Sequence, residues 1–166
     1  ADQSVARDPL FTQVLKRRTN RNAYDGTTVT NGDASAIQAS MAKLPVRFGW
    51  TNEPGQLATL RGIAKRAWDV EMKTDATYFE SVRVFRVTGR EILEHRDGLS
   101  FHGPFFWWLN ALGLFSREKG LGGDQFMRDQ AYPLIDTPLA SSAAFGWIVT
   151  STNDRRVQLA SGAAYV

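Results

Sequence analysis

Six consecutive residues, Lys16-Arg17-Arg18-Thr19-Asn20-Arg21, carry four fixed positive charges, a hydroxyl and an amide. Guanidinium groups make charge-assisted hydrogen bonds to phosphate or carboxylate. Backbone N–H groups released by a turn add to such an anion-binding concavity. The segment therefore suits a phosphate-bearing ligand. A plainer role competes with that one. Asp8-Pro9 starts a helix, with Asp as cap and Pro in the first turn. Leu10, Phe11, Val14 and Leu15 then follow at the spacing of one buried stripe, so the arginines would close the helix where cations favour its macrodipole.

Other chemistry is sparse. The chain has no cysteine, which excludes disulfides, thiolate catalysis and cysteine-ligated zinc, and its two histidines, His95 and His102, are too few for a typical catalytic zinc site. Glu91, Glu94 and Asp97 could face one another, but carboxylates at helical spacing commonly line a solvated face. Ser100-Phe101-His102 puts a hydroxyl beside an imidazole in sequence, whereas a triad needs spatial arrangement and an orienting acid. No nucleophile elbow, phosphate-binding P-loop or dinucleotide fingerprint occurs. Gly120-Leu121-Gly122-Gly123 reads as a flexible connection. No catalytic side chain and no metal ligand set is assigned.

At 166 residues, 43% hydrophobic and 22% charged, the chain fits one soluble domain with a sizeable core. A net charge of +3 is small for a nucleic-acid binder, so nucleic acid is not expected as a partner. No apolar run approaches the roughly 20 residues of a membrane span, so no transmembrane segment is expected. The N-terminus lacks the basic and apolar regions of a signal peptide, and both ends read as cuts through a longer protein. The compartment is therefore open: cytoplasmic by default, with export compatible with a cut N-terminus.

The elements that would position the basic run follow from periodicity and punctuation. Residues 22–33 form a loop with Asp25-Gly26 and Asn31-Gly32 turns, after which Asp33 caps a helix over 34–44 with Ile37, Met41 and Leu44 on one face. Alternation of Val46, Phe48 and Trp50 predicts a strand over 45–51. Glu53-Pro54 opens a long helix that carries Leu57 to Trp68. Thr74 or Asp75 caps the next, with an apolar face from Phe79 to Val87 and a break at Gly89. A turn at His95 to Gly98 precedes the aromatic run from Leu99 to Phe115. Those aromatics either fill the core or a subunit contact, or form a lid over a flat cofactor or aromatic substrate. Asp124 caps a short helix, and Pro133 and Pro138 mark an irregular extended stretch. Residues 143–150 read as a buried central strand, and Thr152-Asn153-Asp154 caps the last helix.

The run Arg17-Arg18-Thr19-Asn20-Arg21 followed by Tyr24 resembles the opening motif of the flavin-dependent nitroreductase family. With "EILEHRDGLSFHG", the strand ending at Thr150 and the helix with Gly162-Ala-Ala-Tyr, the order resembles its Acg-like branch, whose members are similar to two fused nitroreductase halves. The likeness runs over nearly the whole chain, which resembles the second half. It implies an α+β fold, with helices packed around a small mixed β-sheet, as a single partial domain over residues 1–166. It implies non-covalent FMN, with Arg17 and Thr19 on the phosphate and ribityl side, Arg18 in support and Arg21 at the N1/O2 edge, where a cation favours the reduced ring. It also implies NAD(P)H as donor, a nitroaromatic or quinone-like acceptor, and a second nitroreductase-like half or homodimer partner to complete the site. The alternative is a flavin-sequestering protein without turnover. The family's A-P-S-x-x-N-x-Q-P-W segment has no match here; Leu44-Pro45-Val46-Arg47 stands in its neighbourhood. The chain also stops before the position of a further phosphate-binding arginine in the family.

Overall fold

The computed structural model describes residues 9–14, 16–95 and 97–165; Asp8, Leu15 and Arg96, singled out in the sequence, lie outside them. A 3-10 turn at Pro9–Gln13 is followed by α1 (Asn31–Ser40), β1 (Arg47–Thr51), α2 (Pro54–Lys73), α3 (Asp75–Arg83), β2 (Phe85–Arg86) and α4 (Gly89–His95). Then come β3 (Leu99–Ser100), α5 (Pro104–Ala111), α6 (Arg117–Leu121), α7 (Gln125–Asp129), α8 (Pro133–Ser141), β4 (Phe145–Val149) and α9 (Arg155–Tyr165). The class is α+β. The strands form two separate pairs: β1 with β4, antiparallel, and β2 with β3, parallel. The described residues divide into two compact units, one of residues 9–60 with 141–165 and one of Arg61–Ala140.

In the first unit, the helix expected before the basic run is only the short 3-10 turn, and Arg17 to Arg21 lie in coil. The stripe that should have held a longer helix is not a buried face: Leu10 is 57% and Phe11 56% exposed. Most helical stability in proteins comes from burying such a face. The cations therefore do not cap a helix, and the macrodipole account of them falls.

α1 starts three residues before the expected position. Thr30 Oγ1 accepts from the Asp33 backbone N–H at 3.2 Å, and Asp33 Oδ2 accepts from the Thr30 N–H at 2.8 Å, a reciprocal capping box. The Thr30 backbone N–H, and after it the Thr30 hydroxyl, hold the Asp33 carboxyl below its ordinary value of 3.8. Because the folded pKa is depressed, this contribution is fully present above pH 3.8 and is lost as pH falls through the lower folded value. A 13C carboxyl titration is expected to give Asp33 a midpoint below 3.8. A midpoint at or above that value would show that the box does not persist in solution.

The β1–β4 ladder pairs Phe48 with Ile148, Gly49 with Trp147 and Trp50 with Gly146. Alternation puts Phe48, Trp50, Gly146 and Ile148 on one face. On the other, the Trp147 indole lies across Gly49, where any Cβ would overlap the ring, so glycine is required by close approach. The expected buried central strand over 143–150 is not observed: β4 has one neighbour, and Trp147 is 43% exposed.

The second unit has its own core of Met72, Tyr78, Val82, Phe85, Phe101, Phe115 and Met127. Phe101 is its centre, with ring centroids 4.7 Å from Phe85, 5.0 Å from Phe115 and 5.1 Å from Phe106. These are the tilted and edge-on arrangements that aromatic quadrupoles favour. α3 stops at Arg83 rather than continuing to Val87, because Phe85–Arg86 pairs with the chain returning after Gly98. The Leu99 N–H donates to the Val84 carbonyl and the Phe101 N–H to the Arg86 carbonyl, each at 2.9 Å. Gly98 makes that return at φ 73°. Gly120 is not a hinge: it is buried in α6 against Val82. Residues 133–141 are helical despite Pro138. Pro133 occupies the first turn, where its missing N–H costs nothing, and Leu134 packs against the core.

Candidate functional site

Arg17 to Arg21 belong to an irregular, largely exposed segment of the first unit, with Arg21 half-buried. Asn20 shapes it: its Oδ1 accepts from the Asn22 N–H at 3.0 Å, and its amide donates to the Asn22 carbonyl at 3.3 Å. Downstream, Asp25 Oδ1 accepts from the Thr27 N–H at 2.9 Å, and Gly26 takes φ 85°. These are the local side-chain turns that Asn and Asp form in place of helix. The Tyr24 N–H donates to Ser141 Oγ at 2.8 Å, and the Asn52 amide donates to the Val29 carbonyl at 3.1 Å, tying the loop down.

The cations have different commitments. The Arg18 guanidinium donates to the Arg17 carbonyl at 2.8 Å. The Arg17 guanidinium lies 5.2 Å from the centroid of the Tyr165 ring. Among the described residues, the Arg17 and Arg21 guanidiniums form no ion pair, and the Thr19 hydroxyl no hydrogen bond. Charge is unevenly divided as well. Residues 1–60 with 141–166 hold nine Lys and Arg against six Asp and Glu, whereas Arg61–Ala140 holds eleven of each. The excess positive charge therefore sits in the unit that carries the basic loop, which favours an anionic ligand there.

Beside this loop is a cavity of about 740 Å³ inside the first unit. One wall is the Phe48–Trp50 face of β1 with Gly146 and Ile148. Ala34, Ile37 and Met41 of α1 face it, and Ala164 and Tyr165 close it from the end of α9. Leu10 and Val29, which bracket the basic loop, also line it, so Arg17 reaches its edge through Tyr165. Arg18, Thr19 and Arg21 do not line it. The periodicities that set Ile37 with Met41 and Phe48 with Trp50 were legible in the sequence. That they share a cavity with Tyr165 was not, because this depends on the long-range pairing of β1 with β4.

Several other residues singled out in the sequence have structural roles in the second unit. Asp97 accepts from Arg86 Nε at 3.1 Å and Nη2 at 2.8 Å, while Arg86 Nη1 donates to the carbonyls of Arg83 and Phe85. The β2–α4–β3 segment at 85–100 is thus pinned by the aspartate of the Arg96-Asp97-Gly98 run. Glu91 accepts from the Val87 N–H and pairs with Arg117, so it is not half of a catalytic carboxylate pair. The aromatic run divides: Phe101, Phe106 and Phe115 serve the core, whereas Phe105, Trp107 and Trp108 are exposed.

Among the described residues no cluster of three or more His, Asp or Glu could hold a metal ion, and no helix is long and apolar enough to cross a membrane. The chain matches no family model, no curated protein and no solved structure.

Proposed function

We propose that the chain is an FMN-binding unit of nitroreductase type, of the Acg-like branch, completed by a second nitroreductase-like half or a second copy. The observation that carries the reading is the basic loop. Arg17, Thr19 and Arg21 stand on one short segment held by side-chain turns, without ion-pair or hydroxyl partners among the described residues. The donor set fits the cofactor: two guanidiniums and a hydroxyl suit a phosphate and ribityl chain, and a half-buried cation suits the N1/O2 edge of the ring. Bound FMN would supply hydride exchange between NAD(P)H and a nitroaromatic or quinone-like acceptor. The chain's own residues bind and orient it, Arg17 and Thr19 at the phosphate side, Arg18 behind them and Arg21 at the ring.

Arg21→Ala is expected to weaken FMN binding by roughly 1.5–3 kcal/mol, the scale of a hydrogen bond to a charged group. Isothermal titration of wild type and variant measures this, and equal affinities would remove Arg21 from the site. Stopped-flow mixing of the FMN-loaded protein with NADPH separates reduction from sequestration. Rapid bleaching of the flavin is expected, and flavin that stays oxidised would leave a binding protein without turnover.

A further inference from the structure

We propose that the cavity of the first unit is itself a binding site for a planar aromatic anion, with the ring system inside and the charge at the mouth. Its volume, about 740 Å³, lies within the range of small-molecule sites, which are concave and mostly apolar. Phe48, Trp50 and Tyr165 supply flat surfaces on which a ring can stack. No charged side chain lines the interior, and its one aliphatic hydroxyl, on Ser40, donates to the Ile37 carbonyl at 2.7 Å. A ligand's charge must therefore stay at the mouth, where burial does not strip its hydration.

The mouth selects the sign of that charge. Arg17 rests over the Tyr165 ring there, in a contact weaker than the charge-assisted bond it could give an oxyanion. Moving the guanidinium from the ring to a carboxylate, sulfonate or phosphate leaves Tyr165 free to cover the ligand. A cation meets no acidic lining residue and the repulsion of a unit with nine basic and six acidic residues. A neutral ring gains the walls and forgoes Arg17. FMN is one ligand of this class, but the inference stands on the cavity and its mouth rather than on FMN.

The test uses three matched naphthalenes: 2-naphthoate, its neutral amide and the 2-naphthylmethylammonium cation, titrated by calorimetry into the protein. Naphthoate is expected to bind at least tenfold more tightly than the other two. Arg17→Glu, at an exposed position that leaves the fold alone, is expected to abolish that preference while preserving amide affinity. Ala164→Phe, which fills the cavity from α9, is expected to weaken naphthoate and amide together. Equal affinities for the three probes, or naphthoate binding untouched by Arg17→Glu, would overturn the proposal. FMN used as a fourth ligand keeps the two readings apart. Naphthoate binding without FMN binding sustains the cavity and ends the FMN reading. FMN binding indifferent to Ala164→Phe, with the fold intact by circular dichroism, sustains FMN and overturns the cavity as the seat of its ring.

Discussion

Phe115→Ala is expected to destabilise the second unit by about 3–5 kcal/mol, the cost of removing a large aromatic from a close-packed core. Phe115 is fully buried and touches two aromatic neighbours, Phe101 at 5.0 Å and Phe106 at 5.2 Å between centroids. Its own backbone cannot slide to close the gap. The Phe115 N–H donates to the Leu109 carbonyl at 3.2 Å, and its carbonyl accepts from the Asn110 amide at 2.9 Å. Urea denaturation followed by near-ultraviolet circular dichroism measures the loss. A shift worth less than about 1 kcal/mol, the scale of a surface substitution, would show that Phe115 is not at the core's centre.

The second large effect falls on a cation. Arg128 lies 3.9 Å from the centroid of the Tyr78 ring and donates at 2.5 Å both to the Met72 carbonyl, near the end of α2, and to Asp75 at the start of α3. It thereby clamps the α2–α3 corner from α7. Asp75 is mostly exposed, so its ion pair contributes little. The ring contact and the backbone carbonyl carry the effect, because Arg128 itself is nearly buried. Arg128→Ala is expected to cost about 2–3 kcal/mol. Arg128→Lys should recover only part of that, since an ammonium lacks the planar fork that serves carbonyl, carboxylate and ring together. Full recovery by lysine in the same urea experiment would mean that charge alone holds the corner.

What could be read from the sequence was local. The alternation of Phe48 and Trp50 defined β1, Glu53-Pro54 began α2, and Asp124 and Asp154 capped the helices where expected. The Asp124 carboxylate accepts from the Met127 N–H, and that of Asp154 from the Val157 N–H, each at 3.0 Å. The capping box at Thr30 was present as a Thr-x-x-Asp pattern, masked by a plausible cap at Asp33 itself. What failed depended on distant partners. The stripe from Leu10 to Val14 has helical spacing but stays largely exposed, and the basic run is loop. Phe85–Arg86 has the apolar character of helix α3 but is claimed by the strand after Gly98. For the site, the residue types at Arg17 to Arg21 were legible as an anion-binding set. Their neighbour Tyr165, more than 140 residues later, became legible only through the β1–β4 ladder that brings α9 back to the loop.

FMN titration of the protein, followed by quenching of flavin fluorescence, tests the central claim most directly. Saturable quenching is predicted for the wild type, weakened when Arg21 is replaced by alanine and accompanied by a higher melting temperature in the presence of FMN. Flavin fluorescence that does not change with added protein, together with an unshifted melting temperature, would contradict the claim that this basic loop is part of a flavin site.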